Sequence, residues 1–113
     1  MTDERVLTID VGGTEVKFST FAQHYTVIED EYRLPTISHD QEQFLEQLYT
    51  QIRIIQTNRR LTGIAVSSPG LIHDGFVENG GSVRSLDQLA LAEVLSGKYR
   101  VPVSVNNDAQ CAL

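Results

Sequence analysis

Arg5-Val6-Leu7-Thr8-Ile9-Asp10-Val11-Gly12-Gly13-Thr14-Glu15-Val16-Lys17-Phe18-Ser19 is the stretch that decides the fold. An apolar run of Val6, Leu7, Ile9 and Val11 carries one acid, Asp10, and stops at two glycines; beyond them Val16 and Phe18 alternate with polar residues. Period two on both sides of a glycine turn predicts a β-hairpin. Glycine accepts positive φ, so a tight turn with close ligand approach is expected there, and successive N–H groups in such a turn form an anion-binding nest. Thr14 adds a hydroxyl donor and Lys17 a cation, while Asp10 at the mouth of the turn could hold Mg²⁺ directly or through water. A plain hairpin needs neither the acid, the threonine nor the lysine; the combination points to a nucleotide-phosphate site. Two familiar phosphate loops are excluded, because no G-x-x-x-x-G-K-[ST] is present and the glycines are adjacent and followed by a strand rather than by a helix.

The remaining composition narrows the class. The chain has 113 residues, enough for one domain with one core, at 41% hydrophobic and 21% charged residues and a net charge of −6. The only adjacent basic pair is Arg59-Arg60, which is no footprint for nucleic acid. No apolar run approaches the roughly 20 residues of a membrane span, and Asp3 and Glu4 at the start do not fit a signal peptide. Cys111 is the only cysteine, which points to a cytoplasmic protein and to a small buried residue rather than a nucleophile. His24, His39 and His73 make no zinc spacing with it.

Outward from the hairpin, Tyr25 to Leu34 reads as a third strand, after a turn at His24 and ended by Pro35. Asp40 then starts a helix with Gln43 three residues on, a capping-box spacing, and Phe44, Leu45, Leu48, Ile52 and Ile55 form its apolar stripe. Thr57 to Arg60 is read as a polar exit. Leu61 to Ser67 is nearly all apolar and predicts a central strand buried on both faces. Ser67-Ser68-Pro69-Gly70 closes it; alone it reads as a turn, but it falls where ligands bind in open α/β sheets. Leu71 to Gly81 predicts an irregular hairpin around Asp74-Gly75. A helix is expected from Ser85, with Gln88 completing a capping box and Gly97 as C-cap. Val101 to Val105 predicts a strand with Pro102 at its start. Asn106-Asn107-Asp108 follows, readable either as the cap of a last helix over 109–113 or as an amide and a carboxylate facing the crevice shared by Ser68 and the Gly12-Gly13 turn.

Asp10-Val11-Gly12-Gly13-Thr14-Glu15-Val16-Lys17 resembles the first phosphate motif, D-x-G-G-T-x-x-K, of the ROK family of sugar kinases and sugar-responsive repressors, part of the hexokinase, actin and Hsp70 superfamily. Ser68-Pro69-Gly70 and Asn107-Asp108-Ala109 resemble its sugar-site motifs, in the expected order. The resemblance runs nearly end to end and covers only that family's N-terminal domain. With the order of elements it implies a ribonuclease-H-like α/β domain (actin-like ATPase), with three antiparallel strands leading into parallel ones and helices packed on the sheet.

The resemblance also implies an ATP-dependent, glucokinase-like hexose kinase. Asp10 would organise Mg²⁺, Gly12, Gly13 and Thr14 would cradle phosphate oxygens and Lys17 would support them. Ser68, Pro69 and Asn107 would contact the sugar, with Gly80 and Gly81 as weaker backbone contacts, and Asp108 would act as general base. The implied partners are a hexose and ATP, with no nucleic acid, no membrane and a homo-oligomeric full-length protein. A second phosphate motif, an adenosine loop and a structural zinc segment would belong to a C-terminal lobe outside these residues. The chain breaks off one turn into a helix, so it reads as a truncated lobe, inactive alone. The rival readings are a sugar-sensing transcriptional regulator and a non-catalytic sugar-binding domain. A regulator would carry a winged helix-turn-helix ahead of the hairpin, which starts within ten residues of Met1. The sugar stays open among glucose, β-glucosides, mannose, fructose and N-acetylhexosamines.

Overall fold

Alternation on either side of the glycine turn builds the first two strands. A computed structural model describes residues 3–22 and 28–108. In it β1 (Asp3–Val11) and β2 (Glu15–Ala22) pair antiparallel, with Val11 opposite Val16 and Ile9 opposite Phe18. β3 (Ile28–Pro35) extends the meander, pairing antiparallel with β2. Tyr25 to Val27, the start of the expected third strand, and His24 lie outside the described residues. Pro35 is the last residue of this edge strand, where its missing N–H disturbs no ladder.

The helix α1 (Gln41–Ile55) begins as its sequence predicts. The Asp40 carboxylate accepts from the Gln43 N–H at 3.0 Å, satisfying one of the orphan donors of the first turn. Phe44, Leu48, Ile52 and Ile55 are fully buried against the sheet. The chain then passes through a single 3-10 turn at 56–58 into β4 (Arg59–Ser68). The strand starts two residues earlier than the apolar run suggests: Arg59 and Arg60 pair with Asp3 and Glu4 of β1 rather than forming a polar exit.

β4 lies between two parallel neighbours, β1 and β7 (Val103–Asn107), in a five-stranded sheet of order β3-β2-β1-β4-β7. It is central, as expected, but not buried on both faces. Ile64, Val66 and Ser68 are buried among the helices' apolar residues, whereas Gly63, Ala65 and Ser67 on the opposite face are only half-buried. An apolar run of small residues leaves that face shallow, and no described helix covers it.

Between β4 and β7 stands a second, two-stranded sheet of β5 (Leu71–His73) and β6 (Phe76–Asn79). Asp74 and Gly75 turn it with φ of 49° and 80°, the two consecutive positive values that a two-residue type I′ turn requires. The expected helix from Ser85 does not form. Arg84–Leu86 is one 3-10 turn, and α2 (Leu91–Tyr99) starts at Ala90 without a side-chain cap. Ser85 is held elsewhere: its hydroxyl donates to the Ile37 carbonyl at 2.7 Å and its N–H to that of Ser38 at 2.8 Å. Leu86 and Leu89 still enter the core, so the apolar spacing here marks burial without a helix. Gly97 is inside α2, and the left-handed C-cap is Arg100. Asn106 and Asn107 belong to β7 itself rather than following it. Cys111 and the expected last helix fall outside the described residues.

Phe44 anchors α1 at 0% exposure. Phe44→Ala is expected to cost about 3–5 kcal/mol of stability, read as a lower urea midpoint with an unchanged m-value. A loss under about 1 kcal/mol would mean that α1 does not seal the core.

Candidate functional site

The parallel register brings the candidate residues to one edge of the sheet. Asp10 is paired with Ser67 across β1 and β4, Ser67 with Asn106 across β4 and β7, and Ser68 with Asn107. Asp108 follows directly. The Gly12-Gly13-Thr14 turn rises from the same end of β1, and the loops at 69–70 and 79–82 close beside it.

The turn differs from expectation in one respect. Neither Gly12 nor Gly13 has positive φ; the glycines that do are Gly70, Gly75 and Gly81. At Gly12 the constraint is space, against a backbone carbonyl; at Gly13 the neighbour is an exposed side chain that can turn away. A Cβ on Gly12 would stand 3.0 Å from the Glu15 carbonyl, and one on Gly13 would stand 3.2 Å from Ser82 Oγ. The Gly12 N–H donates to the Glu15 carbonyl at 2.9 Å, so it is engaged within the turn. The N–H groups of Gly13 and Thr14 have no acceptor among the described residues, and both residues are exposed. They are the two donors this turn can offer to an anion. Thr36, which sequence reading missed, locks the turn from outside: its hydroxyl donates to the Gly12 carbonyl at 2.8 Å and its N–H to that of Thr14 at 3.0 Å. Lys17 sits opposite Asp10 in the β1–β2 register.

At the strand ends, the Ser67 hydroxyl donates to Asp108 Oδ1 at 2.7 Å. This contact orients the carboxylate and leaves its second oxygen without a partner among the described residues. A cavity of about 200 Å³ lies on the uncovered sheet face here, lined by Thr8, Asp10, Ser67, Ser104 and Asn106 among others. Ser67 was not singled out by its sequence, although strand alternation could have found it. Ser68 points the other way: it is fully buried, and its hydroxyl donates to the Pro69 carbonyl at 3.0 Å. The Asn107 side-chain amide donates to the Gly70 carbonyl at 2.6 Å, tying the Pro69-Gly70 loop to β7.

The second loop is likewise self-contained. The Gly80 N–H donates to Asp87 Oδ1 at 2.8 Å and the Gly81 N–H to Asn79 Oδ1 at 2.7 Å. These two donors, expected to contact a sugar, are thus engaged inside the loop, and Gly80 is buried. Arg84 Nε donates to the other Asp87 oxygen at 2.9 Å. The two loops pack closely, since a Cβ on Gly70 would overlap the Asn79 carbonyl. Asp87 organises this loop and carried no signal in the sequence.

A mixed sheet with its polar residues gathered beyond the carboxyl ends of parallel strands defines a ribonuclease-H-like domain of the actin-like ATPase class. The ROK family model matches residues 6–113, and the chain belongs to the ROK family. It is 32% identical over 111 residues to a β-glucoside kinase of Listeria innocua, an overlap of 96% of this chain and 36% of that protein. A solved ROK family protein from Streptococcus pneumoniae TIGR4, in complex with sucrose, superposes with a TM-score of 0.76 at 29% identity, over 95% of this chain and 35% of that one. A ROK family transcriptional regulator, homolog of the E. coli MLC protein, gives 0.76 at 22% identity over 94% and 28%, a likeness of fold alone. The chain therefore spans about a third of the length of these relatives.

The Asp87 carboxyl is held below its ordinary value of 3.8, first by the Gly80 N–H and then by Arg84. A lowered folded-state pKa stabilises the loop above the unfolded value, and that contribution is lost as pH falls through the folded pKa. Acidification below pH 3.8 is expected to shift the Gly80 amide resonance and to raise its hydrogen exchange, with Asp87→Asn abolishing the pH step. A Gly80 amide that does not respond to acid would contradict this account of the loop.

Proposed function

We propose that this chain is the N-terminal lobe of a two-lobe, cytoplasmic, ATP-dependent hexose kinase that transfers a γ-phosphoryl group to a sugar hydroxyl. The observation that carries the reading is the pairing of Ser67 with Asp108 beside the Gly13-Thr14 donors, at one edge of one sheet. The named kinase among its relatives supports a sugar as acceptor. Phosphoryl transfer asks the protein mainly to position the reactants and neutralise charge, and these residues suit that division of labour.

The Gly13 and Thr14 N–H groups would receive phosphate oxygens, and Lys17 would add positive charge near them. Gly12 would contribute by its lack of a side chain. Asp108, oriented through Oδ1 by Ser67, would use its second oxygen to accept the proton of the attacking hydroxyl. That proton becomes acidic as transfer proceeds, so positioning matters more than base strength. The Ser68-Pro69-Gly70 and Gly80-Gly81 loops would shape the sugar pocket, and Asn107 would hold the first of them in place while facing the sugar. Asp10 is exposed at the strand end, and the described residues hold no cluster of three or more metal-binding side chains. This donor set fits Mg²⁺, which takes one or two carboxylates and otherwise waters and substrate phosphates. The ion would neutralise phosphate charge.

A ROK regulator shares this fold, so the alternative is a sugar-sensing domain. A domain that only binds sugar needs no base. Asp108→Asn in the full-length protein tests the difference. If Asp108 takes the proton, kcat for sugar phosphorylation should fall on the order of 10²- to 10⁴-fold, with an unchanged melting temperature. If it only caps a helix, asparagine serves as well, and near-normal kcat in a stable variant would defeat the assignment.

A further inference from the structure

The other end of the sheet carries a larger cavity. At the amino ends of β4 and β7, beyond the C-terminus of α2, a cleft of about 740 Å³ is lined by residues that include Gln56, Arg59, Arg60, Thr62, Tyr99 and Arg100. Its volume falls in the range of about 300–1,000 Å³ typical of small-molecule sites. No acidic residue lines it among the described residues. An adjoining cavity of about 320 Å³, which shares Gln56 and Tyr99, adds Arg53 and Lys98 with Glu46 as its one acid among the described residues. Five of the nine lysines and arginines of a chain with net charge −6 are thus collected at one end.

Ordinary structural roles account for only some of these cations. Arg59 bonds Asp30 at 2.6 Å and the Ile55 carbonyl at 3.1 Å. The same Asp30 oxygen also takes Arg5 at 3.0 Å, and in the β1–β4 register Asp3 stands opposite Arg59 and Glu4 opposite Arg60. Lys98 lies over the Tyr49 ring at 4.4 Å and suits the negative end of the α2 dipole. The Arg60 and Arg100 side chains make no ion pair or hydrogen bond with any described residue. Arg100 is moreover held in the left-handed region, at φ 56°, where glycine or asparagine would sit more easily. The Tyr99 hydroxyl is buried without a partner among the described residues. Two guanidiniums without a described partner at one cleft leave room for an acceptor.

We infer that this cleft is a second anion site, built to take a phosphate-bearing small molecule, with Arg60 and Arg100 as its direct contacts and Arg59 supplying charge, the Tyr99 ring lining its wall. It is independent of phosphoryl transfer. Ser67 lies five to eight residues along β4 from the strand residues that line the cleft, roughly 16–26 Å at about 3.3 Å per residue. A ligand here touches nothing at the phosphate hairpin and acts, if on the reaction at all, as an effector.

The test titrates the full-length protein with inorganic pyrophosphate, without nucleotide or divalent metal. Binding is read by calorimetry and by NMR shifts of the tyrosine rings. Saturable binding is expected, with the Tyr99 ring shifting and the double variant Arg60→Gln, Arg100→Gln weakening it by about tenfold or more, since each removes a charged hydrogen-bond donor. Gly13→Val, which crowds the hairpin next to Ser82, should leave this binding unchanged. Absence of saturable binding, or a loss caused by Gly13→Val and not by the arginine variants, overturns the proposal. Should the double variant fail to fold, a Tyr99 ring that does not shift in the wild-type protein overturns it equally.

Discussion

Everything at the candidate site depends on the parallel register of β1, β4 and β7. Asp10 aligned with Ser67, and Ser67 with Asn106, set the ends of three strands at one level. A one-residue slip of β4 would exchange its two faces. Ser67 would then turn into the helix layer, Ser68 would face the cavity, and Asp108 would lose the hydroxyl that orients it. Burial enforces the register. Leu7, Ile9, Ile64, Val66 and Val105 all have to reach the same core as Phe44 and Leu48.

That constraint also explains the division of labour between neighbours in sequence. Ser67 and Ser68 are chemically identical, yet one orients a carboxylate at an open edge and the other is buried with its hydroxyl on the next carbonyl. Asn106 lines the open cavity, while Asn107 braces the Gly70 loop. The loops are rigidified by their own contacts, through Asp87, Asn79 and Thr36. What remains open to an incoming anion at the hairpin is the pair of N–H groups on Gly13 and Thr14.

Much of this was legible in the sequence, because alternation and helical spacing are local. The hairpin, the Asp40 cap, α1, the Asp74-Gly75 turn and the central placement of β4 followed from residues close together in the chain. The misses have a common physical origin. Ser85 resembled an N-cap, but its bonds go to Ile37 and Ser38, far away in sequence. Gly97 resembled a C-cap because Arg100 was not expected to adopt a glycine-like conformation. The glycines of the hairpin turn were ascribed to positive φ, which neither has; the Glu15 carbonyl crowds Gly12, while Gly13 meets only the exposed Ser82 side chain. The candidate residues Asp10, Gly13, Thr14 and Asp108 were visible as types in a pattern. Ser67, Thr36, Ser82 and Asp87 were not, since their roles come from tertiary contacts that no local pattern encodes.

The central claim is that the hairpin receives phosphate through two particular backbone donors. The direct measurement is an amide NMR titration of the full-length protein with Mg²⁺ and a non-hydrolysable ATP analogue. The account predicts the largest shifts at the Gly13 and Thr14 amides, with Gly12 moving little because its N–H is already bonded to Glu15. Saturable nucleotide binding that leaves Gly13 and Thr14 unmoved would contradict it.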